Sequence, residues 1–197
     1  RHEFMRGMMR SSARLTYAQM QHAMDGAPDD HTAPMVETVI KPLYGAYHAL
    51  RSAREERGAL DLDLPERRIT MNKNGTIAKI ELLETLDSHQ LIEEFMIAAN
   101  VAAAETLEQR DQPCMYRIHE SPDPERVENL RGVLDSIGLR LSRGDVLRAG
   151  DFNAIVEKAR ETPHSALVSE AVLRCQSQAV YSPDNLGHFG LGLRRYA

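Results

Sequence analysis

The alternation of apolar and polar positions changes period several times along this chain, and each change marks an element. Thr16 to Met24 carries a short amphipathic helical pattern stopped by Asp25-Gly26, where the glycine suits a left-handed cap. Ala27 to Ala33, with Pro28, Asp29, Asp30 and His31, reads as a loop. From Pro34 to Arg57, Met35, Val39, Leu43, Ala46 and Leu50 recur at helical spacing, and Gly58 ends the run. The period then shortens. ITMNKNGTIAKIELL, Ile69 to Leu83, holds an Asn74-Gly75 pair between two alternating runs and predicts a hairpin. Ile69 and Met71 face one way, and Ile77 and Ile80 belong to the return strand.

Asp87-Ser88 caps a long helix that runs to Arg110. Leu91, Ile92, Phe95, Met96, Ala98, Ala99, Ala102 and Ala103 surround most of its barrel, which predicts burial on several sides. Glu93, Glu94 and Asn100 are its polar exceptions. A carboxylate on such a helix is paired or chemically engaged, because stranding it costs several kcal/mol. A solvent-facing or salt-bridged place near the first turn, where the macrodipole favours acids, accounts for the two glutamates as well. Met115 to His119 reads as a short strand, and SPDPE caps a helix through Ser136, closed by Ile137-Gly138-Leu139. Asp151 to Arg160 and Ser165 to Val180 are two further helices separated by Pro163. No internal repeat, low-complexity tract or heptad array interrupts this order. The expected fold class is α+β: one compact unit, mainly helical, with a β-hairpin and a few strands.

A chain of 197 residues, 42% hydrophobic and 27% charged, fits one soluble globular domain. It has no apolar run of about 18 residues, so no membrane span or membrane partner is expected. RHEFMRGMMRSSARLTY lacks the long apolar core of a signal peptide, and a cytoplasmic location is the default expectation. Cys114 and Cys175 stand far apart without C-x-x-C spacing, as buried thiols do. The eight histidines form no H-x-x-x-H pair, so no metal ligands are expected in this chain. The net charge of −5 counts against a simple nucleic-acid-coating module. Basic residues do gather at the two ends, at Arg1, Arg6, Arg10, Arg14, Arg194 and Arg195. A cleft lined locally by arginine is compatible with an acidic exterior.

The densest chemistry lies in SPDNLGHFGLGLRRY, Ser182 to Tyr196. Gly187, Gly190 and Gly192 interleave there with His188, Phe189 and Tyr196, and Arg194 and Arg195 follow. Glycines at that density let a backbone come close to something else. Rings and guanidinium groups are what single-stranded nucleic acid requires, since bases stack on the one and phosphates pair with the other. A glycine-rich buried strand and turn is the competing reading. The GLGL run has the wrong spacing for a phosphate-binding glycine loop, and neither G-x-S-x-G nor H-E-x-x-H occurs. Among the close acidic pairs Asp29-Asp30, Glu55-Glu56, Asp61/Asp63 and Glu93-Glu94, only the last sits in an apolar context.

Three segments together, ARLTY (Ala13 to Tyr17), LIEEFMIAAN (Leu91 to Asn100) and GHFGLGLRRYA (Gly187 to Ala197), resemble the RNB domain of the ribonuclease II/ribonuclease R exoribonucleases. SAREERG (Ser52 to Gly58), YRIHESPDPE (Tyr116 to Glu125) and LRCQSQAVYSPDN (Leu173 to Asn185) are more similar to the ribonuclease R branch. The resemblance spans essentially the whole chain in order. It implies a processive exoribonuclease whose Mg²⁺-activated water hydrolyses single-stranded RNA from the 3′ end to nucleoside 5′-monophosphates. RNA, and not DNA, is then the partner. By the same resemblance Tyr17 lies by the terminal nucleotides, and one glutamate of Glu93-Glu94, with Glu93 preferred, binds the ribose 2′-OH. His188, Phe189, Gly190 and Tyr196 line the RNA channel near the cleavage centre.

The chain departs from the family pattern in three places. The clustered aspartates of the family, D-x-x-x-x-x-D-x-D-D, which bind the magnesium, belong upstream of ARLTY and are absent here. The S-P-I-R-R-Y segment with its catalytic arginine belongs after RRYA. Leu62 stands where the family's base-stacking phenylalanine aligns after Glu56-Arg57-Gly58. Residues 1–197 are therefore expected to form the interior of an RNB domain, to supply channel walls without catalytic or metal-binding residues, and to be inactive alone although the parent is active. The alternatives are a non-catalytic RNA-binding relative that lost the catalytic centre, and a helical interaction domain whose glycines and rings serve packing only.

Overall fold

The computed structural model describes residues 2–62, 66–83, 85–142 and 146–197. Arg1 of the N-terminal basic group and Asp63 of the Asp61/Asp63 pair lie outside the described residues. Two compact units emerge, one of Arg1–Ala53 with Thr85–Ala103, the other of Arg54–Glu84 with Ala104–Ala197. The architecture is α+β, with six α-helices and two separate two-stranded antiparallel sheets among the described residues.

In the first unit, α1 spans Tyr17–Met24 and starts where a reciprocal cap fixes it. The Thr16 hydroxyl accepts from the Gln19 amide, and the Gln19 side chain accepts from the Thr16 amide. The stretch from Pro34 to Arg57 is not one uniform helix. A 3₁₀ turn, Ala33–Met35, leads into a π turn, Val36–Ile40, before the α-helix α2, Lys41–Glu56. Pro42 explains the π turn: it has no N–H to give residue 38, and its ring would crowd that carbonyl. Ala23, Ile40, Tyr44, Tyr47 and Leu91 form this unit's core.

Helix α3, Asp87–Gln109, is the longest. Leu91, Ile97 and Ala104 are buried on it, but Ile92 and Met96 are 42% and 58% exposed. The expectation of burial on several sides is thus corrected: the apolar girdle is continuous in sequence, yet only part of its circumference has a packing partner among the described residues. Asp87 and Ser88 are helical residues and not the caps. The Leu86 carbonyl accepts the first helical bond, from Gln90, and the His89 ring accepts from the Leu86 amide.

The second unit begins with the hairpin of β1, Glu66–Met71, and β2, Ile77–Leu83. Ile69 opposes Ile80 and Met71 opposes Ile77. The Gly75 φ of 80° supplies the left-handed turn residue that the Asn-Gly pair predicts. β3, Tyr116–Ile118, pairs with a strand the sequence pattern does not show, β4, Val180–Ser182. The helix expected over Ser165 to Val180 is shorter: α6 ends at Cys175, and of the expected helix only its last residue, Val180, enters β4. An apolar run with three β-branched valines fits either state, and edge pairing with β3 decides it.

α4, Pro124–Ser136, is capped by Asp123. α5 spans Ala149–Ala159, two residues earlier than its pattern predicts because Asp151 caps back onto the Arg148 amide. Val127, Leu130 and Leu134 of α4, Phe152, Ile155 and Val156 of α5, and Val168, Val172 and Cys175 of α6 make one core. Their i, i+3, i+4 and i+7 spacings are those of helices burying one stripe each. Both cysteines are free thiols; Cys175 is buried, and Cys114 is only partly so.

Candidate nucleic-acid interface

The first unit presents an aromatic pair. Tyr17, the first residue of α1, stacks on His89, in the first turn of α3, with centroids 4.2 Å apart and planes inclined 28°. Tyr17 is 45% exposed, and His89 is exposed as well. The helix starts carrying the two rings are held from beneath. Gln21 of α1 accepts through Oε1 from the Ser88 amide and from the Tyr44 hydroxyl, each at 3.2 Å. Tyr47 donates its hydroxyl proton toward Gln90 at 2.7 Å, and Arg51 donates to both Gln90 and Tyr47. Burial holds the hydroxyls of Tyr44 and Tyr47 protonated, raising both above the ordinary tyrosine range.

Helical periodicity sets the neighbours of that pair. His89, Glu93 and Met96 follow at i, i+4 and i+7, and all three are exposed. Tyr17, the imidazole and the Glu93 carboxylate therefore lie along one solvent-facing stripe. Glu94, one position on, is 5% exposed.

The glycine-rich segment of the second unit folds back on itself. His188 and Leu193 exchange backbone hydrogen bonds of 2.8 and 3.2 Å, and the Phe189 amide donates to the His119 carbonyl at 2.7 Å. His119, buried just after β3, ties the turn through its ring. Its Nδ1 accepts from the Gly190 amide at 2.8 Å, so the ring proton resides on Nε2, which donates to the Ser177 carbonyl at 2.7 Å. A Cβ on Gly190 would stand 2.8 Å from that Nδ1. Gly192, at φ +61°, would put a Cβ 3.0 Å from the Arg57 carbonyl. The Gly190 carbonyl in turn accepts from the Leu60 amide at 2.7 Å. The close approach that these glycines permit is to the chain's own backbone and His119.

The rings follow suit. Phe189 meets Phe152 of the helical core edge to face at 6.2 Å, and Tyr196 meets His188 edge to face at 5.4 Å. Burial first, and after it the neighbouring His119 and Arg117, lower His188 to about 4, which keeps it neutral. Arg195 pairs with Glu108 at 2.5 Å, and Glu108 also accepts from Tyr116 and Asn185. Leu62 packs on the helical core beside Leu60.

Even so, part of the segment reaches an opening. A cleft of about 830 Å³ in this unit is lined by His188 and Phe189 together with Arg57, Arg148 and Arg194. Gly190 and Tyr196 do not line it. The motif-based reading overlooked His89 and His119. His119 sits inside the quoted YRIHESPDPE segment, but only the fold shows that both its nitrogens clamp backbone. His89 occupies the third position of its helix, where a side-chain acceptor caps, but with Leu86 as the cap residue no capping-box pattern marks it in the sequence.

Among the described residues no three His, Cys, Asp or Glu side chains gather into a metal-binding set. No helix among them is long and apolar enough to cross a membrane. The chemistry that the described side chains offer at these places is stacking, hydrogen bonding and charge.

The sequence model of the RNB domain covers residues 1–197 of this α+β chain. The chain belongs to the RNB family. It is 36% identical to ribonuclease R of Escherichia coli over 198 residues, all of this chain and 24% of that protein. Ribonuclease R of Aquifex aeolicus is 37% identical over 96% of this chain and 27% of its own length. The chain thus spans about a quarter of these relatives. Among solved structures, apo Mycoplasma genitalium RNase R superposes with a TM-score of 0.83 at 21% identity, over 91% of this chain and 28% of that one. That enzyme has also been solved with ribose-methylated single-stranded RNA and with double-stranded RNA.

Proposed function

We propose that this chain forms RNA-holding walls of an exoribonuclease that removes nucleotides processively from the 3′ end of single-stranded RNA, releasing nucleoside 5′-monophosphates. Its similarity to ribonuclease R, which runs along all of this chain, carries the proposal. The relative solved with ribose-methylated single-stranded RNA supports RNA as the partner.

In this reading an unpaired base stacks at Tyr17, and a ribose 2′-OH donates to the Glu93 carboxylate. DNA lacks that hydroxyl and is discriminated against at this point. The shared exposed stripe of Tyr17, His89 and Glu93 supports the choice of Glu93 over buried Glu94. His188 and Phe189 line the arginine-bearing cleft, Tyr196 packs on His188, and Gly190 joins the turn to His119. Any magnesium that activated the attacking water would belong to the whole enzyme; the residues here bind and orient the strand. The free thiols Cys114 and Cys175 agree with a reducing, cytoplasmic setting.

The test uses the full-length protein with magnesium and a single strand labelled at its 3′ end. Labelled mononucleotide should appear at once from RNA, not from the DNA strand of the same sequence, and Glu93→Ala should narrow that difference. Absence of mononucleotide release from RNA overturns the reading.

A further inference from the structure

The Tyr17–His89 stack has a feature that ring packing alone does not explain. Both rings are exposed, so their contact buries little apolar surface, yet each is held by the cap at its helix start. Tyr17 follows the reciprocal Thr16–Gln19 cap. His89 makes one half of such a cap at the start of α3: its Nδ1 accepts from the Leu86 amide at 3.2 Å, while its own amide donates to the Leu86 backbone carbonyl at 3.0 Å. That bond leaves Nδ1 without a proton and fixes the plane of the ring. Beneath, Gln21 and Gln90 lock the first turn of α3 to α1 and α2. The imidazole is therefore a preset surface against which the tyrosine ring lies flat.

We propose that His89 is a positioning residue for RNA. Its capped ring holds Tyr17 at the angle at which an unpaired base can stack, and continues the binding stripe along α3 to Glu93. This rests on the reading of the chain as part of an RNA-degrading enzyme. Preorganisation of this kind raises affinity by removing the ordering cost that a freely rotating tyrosine would meet on binding. Base–aromatic stacking is sequence-tolerant, so the effect should be the same for any single strand of RNA.

Two substitutions separate the ring from the cap. His89→Gln keeps a side-chain acceptor at the third helical position, as Gln19 does in α1, but removes the ring. His89→Phe keeps a ring and removes the cap. In the full-length protein, His89→Gln should melt with wild type and bind a single-stranded RNA oligonucleotide about tenfold more weakly in the presence of a chelator, the loss of roughly one base stack. With magnesium KM should rise by a similar factor while kcat stays within about twofold. His89→Phe should lose thermal stability and keep most of the affinity. Because His89 acts through Tyr17, the double variant Tyr17→Ala/His89→Gln should bind no more weakly than Tyr17→Ala alone.

Wild-type affinity in His89→Gln, or additive losses in the double variant, overturns the positioning role. So does a His89→Phe enzyme as weak as His89→Gln, because a retained ring should retain the platform. Should His89→Gln melt far below wild type, the comparison of His89→Phe with Tyr17→Ala decides the matter by the same criteria. A wild-type protein that neither binds nor shortens RNA overturns the underlying enzyme reading and this role with it, whereas an active wild type with indifferent His89 variants overturns this role alone.

Discussion

The two ring-bearing regions of this chain are held by opposite means. In the first unit, Tyr17 is aimed by the cap at its helix start, His89 spends one ring nitrogen on the Leu86 amide, and both rings stay exposed. In the second unit, His119 holds backbone with both its nitrogens, and Phe189 and Tyr196 lean on other rings. A ring anchored by its main chain keeps its π-face for a partner. A buried ring that spends both its nitrogens on the main chain, as His119 does, is committed to architecture. The same residue types at similar local density thus make a surface in one place and a scaffold in the other.

The scaffold should be the easier of the two to break. Gly190→Ala would force a Cβ to within 2.8 Å of the His119 Nδ1 and 3.0 Å of its Cε1. The ring cannot retreat without losing its bonds to the Gly190 amide and the Ser177 carbonyl. Overpacking of this sort costs about 1–3 kcal/mol, and a lost hydrogen bond adds about 1 kcal/mol. We expect a loss of about 3 kcal/mol in denaturant unfolding with little change in m-value. A Gly190→Ala protein as stable as wild type would show that the turn is looser than these contacts require.

His188 gives the next effect, and it depends on pH. Its folded value of about 4 lies below the ordinary histidine value of 6.5 because burial, His119 and Arg117 oppose its charging. The unfolded chain therefore takes up this proton first as the pH falls. Stability contributed by neutral His188 is complete above pH 6.5, declines below it, and is gone once the pH passes about 4. His188→Asn offers the Leu191 amide a similar acceptor without a titrating ring, and should flatten stability between pH 6.5 and 4 relative to wild type. An unchanged pH profile would assign the slope to other groups.

The two regions also differed in how legible they were. The turn chemistry of Gly58, Asn74-Gly75 and Gly138 and the apolar spacing of α4, α5 and α6 are local signals, and the elements they predict are present. β4 was hidden because its partner β3 is more than sixty positions away, and no local period records such a pairing. The exposure of Ile92 and Met96 was hidden because helical spacing says which residues share a face, not whether anything covers it. The motif segments around Tyr17, Glu93 and Gly187 pointed to the family correctly. They did not reveal that Arg195 pairs with Glu108 or that His119 pins Gly190, since both depend on residues brought together across some seventy or more positions of chain.

The surface region should yield to a gentler change, made at the cap and not at the ring. The Thr16 hydroxyl accepts from the Gln19 amide at 3.2 Å, and Gln19 also reaches Asp29 at 2.8 Å, linking the helix start to the following loop. Hydrogen bonds from Gln19, Thr32 and His31 lower the Asp29 carboxyl to about 2. Its contribution is present above the ordinary 3.8 and disappears as the pH falls through about 2, so this link survives across the neutral range. Thr16→Ala removes the acceptor while leaving Tyr17 and His89 untouched, and should cost about 1 kcal/mol of stability. If Tyr17 is aimed through its backbone, RNA affinity should fall with it, by about threefold, whereas Thr16→Ser should restore both. Stability lost without any change in RNA affinity would mean that the ring finds its place without the cap, and the contrast between a backbone-held surface and a ring-held scaffold would dissolve.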